Sequence, residues 1–129
     1  MPTYTGLRHV HLKVADVDRS VRFYRQAFGL QLAGAKHDGR MIFLSTPGGC
    51  DLVTVSDADL GGDVDRSSRK VGDNGGIDHI GFSLADQNDL DAAIEKVLEA
   101  GGELIRRFEL APGLPSAFIR DVDGYAIQI

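Results

Sequence analysis

The sequence predicts an α+β fold built from two tandem βαβββ modules that curl into an incomplete barrel with a central cleft. Three observations predict it. His9-Val10-His11-Leu12-Lys13-Val14-Ala15-Asp16 recurs without gaps as His79-Ile80-Gly81-Phe82-Ser83-Leu84-Ala85-Asp86, an offset of 70 positions. Each copy alternates apolar and polar residues, the period of a strand, and then runs into an Asp suited to cap a helix. After each helical stretch come further apolar runs separated by Gly-containing turns.

Taken in order, repeat 1 covers residues 7–55. Val10, Leu12 and Val14 share one face of the opening strand, and His9, His11 and Lys13 share the other. Val17, Val21, Tyr24 and Phe28 recur at helical spacing, and Gly29 is placed to end the helix in a left-handed conformation. Three strands follow over 30–36, 40–45 and 50–55. They are broken at Asp38-Gly39, a strong hairpin signal, and at Pro47-Gly48-Gly49. Residues 56–75 show no periodicity and read as a connecting loop. Arg66, Arg69 and Lys70 within it are able to close over an anion. Repeat 2 covers residues 76–129. Its helix is capped by Asp86 or Asn88, carries a stripe of Leu90, Ile94, Val97 and Leu98, and stops at Gly101-Gly102. Strands over 102–108, 116–120 and 125–129 complete it. Each half, at ~60 residues, is too small to bury much core alone, so the two halves share one core in a single domain, 1–129.

Composition removes several function classes. The chain is 43% apolar and 26% charged, ordinary for a soluble globular protein. Its net charge of −5 and its lack of a Lys/Arg-rich run exclude a nucleic-acid partner. No apolar stretch approaches the ~20 residues needed to cross a bilayer, so no membrane partner is expected. Cys50 is the single cysteine, which rules out an internal disulfide and suits the cytoplasm. It should pack inward, with no sign of an activated thiolate. His37, beside the Asp38-Gly39 turn, should be exposed.

The candidate chemistry lies on the polar faces of the strands. Cys50-Asp51-Leu52 can be laid over Ile127-Gln128-Ile129, each a polar residue between apolar neighbours. With His9 and His79 this gives four repeat-related positions: His9, Asp51, His79 and Gln128. Two imidazoles and two oxygen donors facing one axis suit a divalent metal ion (Zn, Fe, Mn, Ni or Co), with positions left open for substrate. Singly, each has a plainer reading: a polar strand histidine, a turn aspartate after Pro47-Gly48-Gly49, a frayed terminal glutamine. His11 shares the face of His9. It is either an acid/base group or a residue at the cavity mouth.

From residue 7 to 129 these motifs, together with Asp18-Arg19-Ser20, Phe23-Tyr24, Phe28-Gly29-Leu30 and Asp121-Val122-Asp123-Gly124-Tyr125, resemble the vicinal oxygen chelate superfamily. That superfamily includes glyoxalases, bleomycin-resistance proteins and extradiol dioxygenases. The resemblance implies a glyoxalase-like fold, a small-molecule cleft, a homodimer, and metal ligation by His9, Asp51, His79 and Gln128. The expected function is a divalent-metal enzyme acting on a small oxygenated substrate by bidentate chelation, as an isomerase or epimerase, a glyoxalase-type lyase or a dioxygenase. The alternative is a metal-free ligand- or drug-binding protein of the bleomycin-resistance type. The absence of Trp and a 7% aromatic content count against a stacking-based trap for drugs. The usual last ligand of the superfamily is Glu. A Gln128 amide can ligate but cannot act as a base, which leaves proton transfer to Asp51 or His11.

Overall fold

The computed structural model describes residues 2–3, 5–60 and 77–129. Arg66, Arg69 and Lys70 lie outside them, as does most of the expected connecting loop. The first module runs β1 (His9–Val14), α1 (Val17–Phe28), β2 (Gln31–Lys36), β3 (Met41–Ser45) and β4 (Leu52–Asp57). The second runs β5 (Ile80–Gly81), α2 (Leu90–Glu99), β6 (Glu103–Ala111), β7 (Leu114–Arg120) and β8 (Ala126–Gln128). The sheets have the same order, β1-β4-β3-β2 and β5-β8-β7-β6. In each, the opening strand pairs in parallel with the last strand of its module. Among the described residues no hydrogen-bonded strand pair joins the sheets, so the barrel is open.

The first helix forms where its cap predicts, whereas α2 starts at Leu90 with Asp89 at its N-cap and no side-chain cap bond. Asp16 is extended, and its carboxylate accepts from the Arg19 amide. Gly29, at φ 66°, ends α1, a conformation that a β-carbon would strain. The buried stripe of α1 is Ser20, Phe23, Tyr24 and Ala27, with Val17, Val21 and Phe28 only partly covered. In α2, Leu90, Ile94 and Val97 are buried as expected, whereas Leu98 is 48% exposed. Asp86 caps a short 3-10 turn, Gln87–Asp89, that leads into α2. The Asp38-Gly39 hairpin turn is a 3-10 turn too, with His37 exposed and left-handed. Two strands depart from expectation: β5 is only two residues long, and β6–β7 extend to a tip of just Pro112-Gly113. Cys50 is exposed rather than inward, because it lies in the turn before β4.

One core serves both modules. Phe23, Tyr24, Leu44 and Val55 from the first pack with Ile94, Val97, Ile119 and Ile127 from the second. Phe28 stacks on Phe82 at 4.4 Å across the boundary. The joint is completed by the β7–β8 turn. Tyr24 Oη donates to Asp121 Oδ2 at 2.5 Å, in a buried contact. The other Asp121 oxygen accepts the amides of Asp123 and Tyr125. Asp123 in turn accepts from Ser20 Oγ, the Ala15 amide and the Arg19 guanidinium. Tyr125 Oη donates to the Lys13 carbonyl of β1 at 2.7 Å. Burial pushes the Tyr24 phenol up, which keeps it the donor. Burial likewise raises Asp121, against the lowering by its hydrogen bonds.

Two outcomes test this packing. A β-carbon on Gly102 would stand 2.7 Å from the Arg120 carbonyl oxygen, 2.7 Å from Val97 and 2.8 Å from Phe23. Gly102→Ala should therefore cost about 2 kcal/mol as overpacking, seen as a fall of several degrees in Tm. The Asp121 proton is held more tightly in the folded chain than in the unfolded one. Its contribution to stability is thus present below the ordinary carboxylate range and is lost as pH rises through the raised value. Urea denaturation across pH 4–8 should show wild type losing stability relative to Asp121→Asn as pH rises; parallel curves would contradict this.

Candidate functional site

The strand register decides which polar side chains meet. Cα partners run across the second sheet as Gly81, Gln128, Phe118 and Arg106. The corresponding row of the first sheet is His11, Thr54, Phe43 and Gly34. These rows correct one expectation. The first-module counterpart of Gln128 is Thr54, 74 positions earlier, and not Asp51. Asp51 stands in the turn before β4, exposed. One of its oxygens accepts the Thr46 amide and the other the Thr46 hydroxyl. The Thr46 hydroxyl, then its amide, hold the Asp51 carboxyl below the usual range. The plain turn reading of Asp51 is the one its contacts match. The sequence overlay slipped by three residues because Cys50-Asp51-Leu52 and Val53-Thr54-Val55 each set a polar residue between apolar neighbours, and only the strand pairing tells them apart.

In the second module, two of the four expected groups converge. His79 Nε2 lies 3.0 Å from Gln128 Oε1. The other His79 nitrogen, Nδ1, lies 2.7 Å from Asp78 Oδ2. The Gln128 amide nitrogen donates to Ser116 Oγ at 3.2 Å, and that hydroxyl donates to the Ile129 carbonyl at 2.7 Å. A carboxylate only accepts, so Asp78 places the proton of a neutral His79 on Nδ1. Ser116 fixes the Gln128 carbonyl toward the ring by the same logic. With the proton on Nδ1, the Nε2 lone pair and the Gln128 carbonyl oxygen face the same point, an arrangement suited to a shared cation. Donors bound to a metal at about 2.1 Å lie roughly 3.0 Å apart when cis, so the spacing also fits a shared ion. Asp78 and Ser116 were not singled out from sequence. Asp78 was visible as the neighbour of His79, but Ser116 carried no local signal.

His9 is exposed on the corresponding strand of the first module. His11, on the same face, meets Ser56 Oγ through Nε2 at 2.8 Å, and Ser56 is fully buried. Among the described residues, no three His, Cys, Asp or Glu side chains gather as a metal-holding cluster. Beside Gln128 opens a cavity of about 410 Å³, with apolar walls at Leu84, Leu110 and Leu114 and polar atoms from Ser83 and Ser116. No helix among the described residues is long and apolar enough to cross a membrane.

These features define a class: paired βαβββ modules with convergent donor atoms on an open sheet face. The chain belongs to the Glyoxalase/Bleomycin resistance protein/Dioxygenase superfamily, whose profile matches residues 6–129. It is 27% identical over 126 residues to metallothiol transferase FosB of Shouchella clausii, covering 96% of this chain and 78% of that protein. It is also 27% identical over 124 residues to a probable lactoylglutathione lyase of Vibrio parahaemolyticus, covering 94% and 86% of the two chains. A glyoxylase/bleomycin resistance protein/dioxygenase domain from Frankia sp. EAN1pec has the same fold, with TM-score 0.72, 28% identity, and 98% and 96% of the chains covered.

If Asp51 acts in its turn, Thr46→Val and Asp51→Asn should each cost about 1 kcal/mol, and the double variant little more than either alone. Thermal denaturation of the three variants reads this directly, and additive losses would separate Asp51 from Thr46.

Proposed function

We propose that this chain is a divalent-metal enzyme acting on a small oxygenated substrate that chelates the metal through two adjacent oxygens. The observation that carries the reading is the pair of lone-pair donors, His79 Nε2 and Gln128 Oε1, held 3.0 Å apart by Asp78 and Ser116. The names of two related proteins, a metallothiol transferase and a lactoylglutathione lyase, support enzyme chemistry in this part of the superfamily. His79 and Gln128 would hold the ion together with His9 from the first module. When bound, a divalent ion polarises substrate oxygens and stabilises an enolate or equivalent anion.

This chain's own groups divide the remaining work. Asp78 orients the His79 ring through Nδ1. Ser116 keeps the Gln128 carbonyl, not its amide nitrogen, turned inward. Gln128 cannot take a proton, and Asp51 stands in the turn before β4, off the strand face that carries His9, so proton transfer falls to His11 on that face, held by Ser56. Leu84, Leu110 and Leu114 offer apolar contact to a substrate beside Gln128. We further propose that the chain pairs as a homodimer in the cytoplasm. Leu104, Ile105, Leu110 and Leu114, exposed along β6 and β7, support such a pairing.

Metal analysis of protein purified without chelator, and again after loading, tests the reading. Wild type should carry stoichiometric divalent metal, and His79→Ala should lose it. Gln128→Glu, which adds a negative charge, should bind more tightly, and Asp51→Ala should leave the content unchanged. Wild-type protein that takes up no metal under any loading condition would overturn the proposal.

A further inference from the structure

The second sheet carries, beside His79, a group of side chains that metal ligation does not use. Phe118 meets the His79 ring edge-on at 4.8 Å and stacks on Phe108 at 4.9 Å. The Arg106 guanidinium caps both rings, 4.9 Å from Phe108 and 5.1 Å from Phe118. Arg106 is exposed and, among the described residues, makes no ion pair. Its neighbour Arg107, pointing to the helix side, is paired with Asp91. The cross-sheet row explains the placement: Gln128, Phe118 and Arg106 are successive Cα partners, so a single phenyl ring separates the donor pair from a positive charge. The first module repeats the theme. Phe43 holds the position that Phe118 holds in the second, and the Lys36 ammonium lies over its ring at 5.8 Å. A chain with a net charge of −5 thus places a cation over a phenylalanine on the polar face of each sheet.

From this we infer that Phe108, Phe118 and Arg106 form a binding shelf for an aromatic or planar organic acid, whose ring lies against the phenylalanines and whose anionic group is held by Arg106. The inference rests on the proposed function only in treating this face as the substrate site, and it names the substrate class. The physics is additive. The rings supply apolar contact and a negative face. They also hold the guanidinium in place, leaving its N–H fork free for a carboxylate. A neutral aromatic would gain the first contribution without the second, and a small aliphatic anion the second without the first.

The test uses three probes on metal-free, chelator-treated protein: benzoate, benzyl alcohol and acetate, titrated by NMR. Benzoate should bind at least tenfold tighter than either of the others. Arg106→Gln should lower benzoate affinity about tenfold and leave benzyl alcohol unchanged, and it changes an exposed side chain, so the fold is preserved. Phe118→Leu should erase the preference for benzoate over acetate. Equal binding of benzoate and acetate by wild type, or benzoate affinity unaltered in Arg106→Gln, would overturn the inference. Because the metal is absent throughout, the outcome is independent of whether His79 and Gln128 ligate an ion.

Discussion

Everything on the polar faces depends on how one turn of the second module grips the first. Asp121 and Asp123 accept hydrogen bonds from Tyr24, Ser20, Arg19 and the Ala15 amide, and Tyr125 donates to the Lys13 carbonyl near the end of β1. Since β8 begins directly after that turn, its grip on β1 and α1 sets where Gln128 lies relative to the histidine strand of the first module. A buried carboxylate is costly unless fully bonded, and here every oxygen has partners. The joint is therefore specific as well as cohesive: a shift of either module would strand a buried charge.

The duplicated architecture was legible because duplication leaves a register that needs no packing information. His9 over His79 placed both opening strands, and Asp16 over Asp86 placed the cap of α1 and that of the 3-10 turn leading into α2. The helices were legible from spacing, although the stripe of α1 moved onto Ser20, Phe23 and Ala27. A serine is not read as core until its hydroxyl has a buried acceptor, and Asp123 supplies that acceptor from 103 positions away. The same limit governed the site. His79 and Gln128 could be paired from symmetry, whereas Thr54 and Asp51 could not be told apart without the β1–β4 register. The Asp121-Val122-Asp123-Gly124 motif read as a tight turn, and it is one. That its carboxylates reach into the other module is a tertiary fact with no local signal.

The two polar faces have diverged in complementary ways. Where the second sheet has Gly81 and Gln128, the first has His11 and Thr54. The glycine opens space beside His79. The histidine fills the equivalent space and is tethered to Ser56. One module thus presents a donor pair next to an aromatic–cationic row, and the other presents a run of basic side chains: His9, His11 and Lys13. Aromatic content of 7% misleads as a guide to such a surface, since placement rather than abundance decides what a ligand meets.

Among the described residues, the turn that grips the first module has no reciprocal. In the first module the corresponding turn closes on itself, with Asp51 bound to Thr46. On α2, the positions matching Ser20 and Tyr24 are Leu90 and Ile94, which offer no hydroxyl. The joint therefore has one donor surface and one receptor surface, and each is used once. Head-to-tail contacts between like units propagate into open-ended arrays unless something stops them. Here the halves of a duplicated chain have become unlike at the contact itself, so the joint between them runs in one direction only.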